Sequence, residues 1–99
     1  MVTVVTRVRI KDGREAEWDE VFGERARAAR GQDGFHFVQL CCPEGSPNER
    51  VIVGTWETRE NWQAWHRDDA FLETRRQLEE IDEEDEGSQW WKVVVEERG

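Results

Sequence analysis

Between Asn61 and His66 the chain reads NWQAWH, which gathers an amide, two indoles and an imidazole into six residues. On a helix, Asn61 and Trp65 stand four apart and share a face, while Trp62 and Trp65, three apart, form an apolar stripe. Such residues could wall a pocket for a flat aromatic ligand, with the Asn61 amide as a hydrogen-bond donor. The same indoles could equally fill a core while Asn61 belongs to a helix cap. His66 adjoins Asp68 and Asp69 and reads as an exposed, carboxylate-paired imidazole. Arg75, four residues before Glu79, reads as its ion-pair partner. His36, Cys41 and Cys42 match no standard zinc spacing, so no metal is expected. The two cysteines read as small apolar filler, one toward each face of a strand. Neither a glycine-rich phosphate loop nor a nucleophile elbow is present.

A scaffold must hold these groups. At 99 residues, with 6 Trp and no Tyr, the chain is expected to form one domain over residues 1–99. No apolar run is long enough to span a bilayer and no export leader precedes the first strand, so no membrane partner is expected. Adjacent cysteines cannot staple distant segments, and the plain reading is a reduced, cytoplasmic protein. The run EEIDEEDE (79–86) supplies seven of the nine net negative charges and reads as a solvated connector. Neither it nor the near-neutral remainder offers the basic face that nucleic acid requires.

VTVVTRVRI (2–10) alternates with period two and predicts a strand, with Val2, Val4, Thr6, Val8 and Ile10 on one face. From Arg14 to Arg30, Trp18, Val21, Phe22, Ala26 and Ala29 recur at helical spacing. FHFVQLCC (35–42) and RVIVGTW (50–56) predict two strands joined by a turn, and Thr58 can cap a second helix beginning at Arg59. That helix carries NWQAWH, loosens near RDD and continues through AFLETRRQLEEI; WWKVVVEE (90–97) predicts the last strand. The order β-α-β-β-α-β is the split βαβ arrangement of ferredoxin-like α+β folds, a four-stranded antiparallel sheet with both helices on one face. Alternation puts Phe35, Phe37 and Cys41 on one face of the second strand and Val38, Leu40 and Cys42 on the other. Helices can cover only one of two such apolar faces, which predicts a homodimer pairing sheet to sheet.

The phrase VIVGTWETRENWQAWHRDDAF, with Trp56, Thr58, Trp62, Trp65 and Asp69-Ala70-Phe71 in place, resembles the signature of antibiotic biosynthesis monooxygenase domains of the dimeric α/β-barrel superfamily. VVTRVRIKDGREAEW is similar to the opening of the same domains. The resemblance implies a monooxygenase acting on a small aromatic ligand, phenolic or anthrone-like. In its cofactor-free quinone-forming members an Asn precedes the helical Trp by four residues, and this implies catalytic roles for Asn61 and Trp65. Thr6, Phe22, Trp62, His66 and Arg75 are then substrate-binding positions, and no cofactor is needed. Heme-degrading members offer the alternative cofactor, heme: Trp65 matches their Trp, but Thr6 stands at their strand-one Asn and Arg75 where their iron-binding His belongs. A guanidinium stays protonated and cannot ligate iron. A ligand-binding dimer without catalysis is the third possibility.

Overall fold

The computed structural model describes residues 1–99, Glu86 through its backbone alone. Strand β1 (Val2–Ile10) buries Val4, Val8 and Ile10 on one side and exposes Arg7 and Arg9 on the other, as its alternation requires. It takes a central place. β3 (Glu49–Trp56) and β4 (Asp82–Lys92) pair with it from either side, and β2 (Phe35–Cys41) lies outside β3. All pairings are antiparallel and the sheet order is β2-β3-β1-β4. Helices α1 (Glu15–Ala29), α2 (Arg59–Trp65) and α3 (Asp69–Glu79) pack on one face of this open, ferredoxin-like sheet.

Local chemistry explains the helix boundaries. The Thr58 hydroxyl accepts a hydrogen bond from the Asn61 backbone N–H and starts α2, a cap of about 1 kcal/mol. The single helix expected from Arg59 onward divides, because the Asp68 backbone turns extended and its carboxylate accepts from the Ala70 N–H, capping α3 afresh. On α1, Trp18, Phe22 and Ala29 are buried. Asp19 takes a two-pronged ion pair from the buried Arg50 of β3, at 2.8 and 3.0 Å, and so ties helix to sheet.

Three expectations about strands are corrected. The acidic run is not a connector: from Asp82 onward it is β4, which carries on through Trp90 and ends at Lys92. Residues 93–99 form no strand, and Val94 and Val95 are exposed. Finally, a bulge at His36 shifts the β2 register between Phe35 and Phe37. Phe35 therefore joins Val38 and Leu40 on the helix side, while Phe37 and Cys41 stay on the other. The uncovered face still carries Val5, Phe37, Val51, Val53 and Trp91, the last 55% exposed.

Candidate active site

Between the helices and the sheet lies a cavity of about 340 Å³. Its floor is β1, through Val4, Thr6 and Val8, with Val38, Ile52 and Gly54 beside them. Aromatic rings make the walls. Trp18 stacks on Phe22 at 5.4 Å, with the two rings within 4° of parallel, and Trp65 meets Phe71 edge-on at 5.7 Å. Trp62 packs edge-on against Trp90 of β4 at 4.6 Å, and Arg59 lies over Trp90 from outside.

Of the site residues that the spacing and the family resemblance implied, Thr6, Phe22, Trp62, Trp65, His66 and Arg75 all line this cavity. Phe22 and Trp65 are buried and Trp62 only partly so. Thr6 shares a hydroxyl–hydroxyl hydrogen bond of 2.7 Å with Ser88. Arg75 sits at the rim in the expected pair with Glu79, at 3.1 Å. Asn61 is elsewhere: it is not among the lining residues. Its Oδ1 accepts from the Thr58 hydroxyl at 2.7 Å, and its side chain lies directly against Gly34. The amide thus serves the cap and the α2–β2 contact in this structure.

His66 is not the exposed, carboxylate-paired imidazole its neighbours suggested. It is half-buried, clasped by Trp62 (ring centroids 3.5 Å apart) and Phe71 (4.0 Å). Its Nδ1 lies 2.8 Å from the Trp62 carbonyl oxygen, and since a carbonyl only accepts, Nδ1 carries the hydrogen. Nε2 is left as a lone-pair acceptor with no hydrogen-bond partner among the described residues. Burial is the main force on its titration and lowers its pKa to about 4, with Arg25 and Arg75 acting in the same sense. The ring is neutral at pH 7.

Sequence reasoning missed two charged residues here. Arg25 lies on α1 seven residues after Trp18 and three after Phe22, on the buried stripe, and its guanidinium enters the cavity wall. Burial lowers its pKa to about 10, so it stays charged. Asp82 accepts a 2.6 Å bond from the Trp18 indole N–H, and burial raises its pKa despite that bond. The signal for Arg25 was present: a cation at the heptad spacing of an apolar stripe. Asp82 was hidden by the connector reading. Two register shifts along β4 place Asp82, Asp85 and Ser88 opposite Ile10, Val8 and Thr6, so all three face the cavity. The shift between Ser88 and Asp85 includes Gly87 at φ 80°, a conformation glycine adopts freely.

His36 Nε2 donates to the Glu57 carboxylate at 2.8 Å, and both cysteines are exposed. Among the described residues no three His, Cys, Asp or Glu side chains gather as a metal site.

Residues 1–77 match the family model described as antibiotic biosynthesis monooxygenase. No curated protein matches the chain. Among solved structures it is similar to SnoaB of Streptomyces nogalater, described as a cofactor-independent oxygenase, at 22% identity and a TM-score of 0.85, over 96% of this chain and 94% of that one. Rv0793 of Mycobacterium tuberculosis is 16% identical with a TM-score of 0.84, over 96% of each chain. A conserved protein of Methanosarcina mazei is also 16% identical, with a TM-score of 0.86, over 94% of this chain and 92% of that one. At such identities the likeness establishes the fold.

Proposed function

The chain belongs to the antibiotic biosynthesis monooxygenase family, and from that premise we propose that it is a cofactor-independent monooxygenase of a small phenolic or anthrone-like compound. The observation that carries this reading is a cavity walled by Trp18, Phe22, Trp62, Trp65 and Phe71 that also holds a neutral imidazole with an unengaged Nε2. Its volume is at the lower end of ligand pockets, suited to a small polycyclic molecule.

The chemistry follows from those parts. An anthrone-type ring held between Trp65 and Trp62 presents its acidic C–H to His66 Nε2, which takes the proton and leaves a delocalised carbanion. A pKa near 4 makes the free imidazole a weak base, but negative charge growing on the bound ligand raises it toward the working pH. The carbanion passes one electron to O2, the radical pair joins through a new C–O bond, and the peroxide takes up a proton. Loss of water from the hydroperoxide then leaves a carbonyl, so one oxygen atom enters the product and the other becomes water. The aromatic walls exclude solvent from the charged intermediate. Asn61 has no place in this scheme while it caps α2.

We propose further that two copies pair through the uncovered sheet face, where Val5, Phe37, Val51, Val53 and Trp91 form an apolar surface opposite the cavity. Light scattering should then give twice the 11.7 kDa chain mass. The enzymatic reading is tested in an oxygen electrode with anthrone and no added metal or flavin. Wild type should consume O2 and His66→Phe should slow that by about a hundredfold, within the usual contribution of a general base. Equal rates in both proteins, or no uptake above the uncatalysed rate, would overturn it.

A further inference from the structure

Arg25 is a half-buried cation that faces the cavity in no ion pair among the described residues. Its Nε donates to the Thr74 hydroxyl at 2.9 Å, and Thr74 in turn donates to the Phe71 carbonyl at 2.8 Å, so the side chain is anchored to α3. Its guanidinium carbon lies 4.3 Å from the Phe71 ring centroid and 5.9 Å from that of Phe22, so the cation rests against both rings. Among the described residues no carboxylate comes within ion-pair distance of it, and neither terminal nitrogen has a hydrogen-bond partner. Asp82 and Asp85 act on it only from a distance. Desolvated charges are costly unless paired. A stripe position of α1 between Phe22 and Ala29 would be better filled by an apolar side chain if packing were its only duty.

From this geometry we infer that Arg25 is a ligand-binding residue whose Nη1 and Nη2 hold an anionic oxygen, and that the cavity selects aromatic monoanions over neutral aromatics of the same shape. The inference rests on the ligand cavity of the proposed function and narrows its substrate class. Two further features agree with it. Among the charged side chains lining the cavity, Asp82 and Asp85 come from β4, Arg75 of α3 is already paired with Glu79 of the same helix, and Arg25 of α1 is the cation in no ion pair among the described residues. An anionic group is therefore drawn toward Arg25 and kept from the carboxylates of β4. The chain's net charge of −9 works the other way, repelling anions in general. A preference for anions must then arise inside the cavity. The guanidinium fork suits a carboxylate, which it can hold by two parallel bonds, and accepts a phenolate through one oxygen.

The test compares ligands in unaltered protein first, so it does not depend on a variant folding. Calorimetric titration at constant ionic strength would use 2-naphthoate, its neutral isostere 2-naphthamide, and a nitrophenolate for the single-oxygen case. Naphthoate should bind about tenfold or more tightly than naphthamide, as one charge-assisted fork should give. A comparable gain for the nitrophenolate over its methyl ether assigns the ligand as a phenolate, and its absence assigns a carboxylate. In Arg25→Met the preference for naphthoate should fall to within about twofold, and Arg25→Lys should restore part of it. His66→Phe should keep the preference. Equal binding of naphthoate and naphthamide by wild type overturns the assignment of Arg25 while leaving the cavity reading in place. A preference that persists in Arg25→Met with an unchanged melting temperature also overturns it. If none of the three aromatics binds at millimolar concentration, both the inference and the cavity reading fail.

Discussion

His66 should make the protein's stability depend on pH in a way that can be isolated by one substitution. Its pKa falls from 6.5 to about 4 on folding, chiefly by burial. The unfolded chain therefore takes up the proton first as pH drops. The stability tied to a neutral His66 is complete above about pH 6.5 and is lost as pH falls through the window toward 4. At about 1.4 kcal/mol per pH unit such a shift could carry roughly 3 kcal/mol. The ring is partly exposed, so solvent screening reduces this to about 1 kcal/mol between pH 7 and pH 5. For a domain of this size that is a fall of about 4–8 °C in Tm. His66→Phe removes the titration yet keeps a ring between Trp62 and Phe71, and the Trp62 carbonyl retains its bond from the backbone N–H of residue 66. Asp82 works in the opposite sense, since its raised pKa stabilises the fold as pH falls, but it is common to both proteins and cancels in the difference. Thermal melts followed by circular dichroism at pH 7 and pH 5 should show wild type losing several degrees more than His66→Phe. Equal losses would refute the claim that His66 is held neutral by burial.

Other perturbations separate packing from site chemistry. Trp65→Ala should cost about 3–5 kcal/mol in urea unfolding and Trp62→Ala markedly less, because Trp65 is only 3% exposed whereas Trp62 is partly open; the reverse order would misplace both rings. Gly34→Ala should cost about 2 kcal/mol, since its φ of 78° disfavours a side chain and the new Cβ would overlap Asn61. Adding Asn61→Ala should recover part of that loss, and strict additivity in denaturant melts would deny the contact. Hemin should give no His-ligated Soret band at stoichiometric ratio, because Arg75 is paired with Glu79 and His66 is clasped between two rings. A sharp band that vanishes in His66→Phe would put heme binding first.

Periodicity carried the strands and helices that have one wet and one dry face, which is why β1 and α1 could be read almost to the residue. It failed where a single backbone irregularity resets the count. The bulge at His36 moves Phe35 across the sheet, and the shifts in β4 put Asp82 and Asp85 on one face at a spacing of three. The acidic run disguised β4 because like charges disfavour a strand in isolation. As an edge strand it leaves Glu83 and Glu84 in water, and Arg9 meets Glu84 across the ladder at 3.8 Å. The site was legible as a set of residue types, since the NWQAWH helix supplies three of its rings. Arg25 escaped notice because helical patterning looks for apolar residues, and four-residue spacing left Asn61 open between a cavity wall and the cap in which the structure places it.

The central claim, that this aromatic cavity carries out oxygen insertion without a cofactor, is tested most directly by isotope. Anthrone should be turned over by chelator-treated protein under 18O2 and the product analysed by mass spectrometry. One 18O atom is expected in each anthraquinone and one in water, with none in the product when the label is supplied as H2 18O. Product without label from 18O2, or turnover that stops on chelation and returns with added metal, would contradict it.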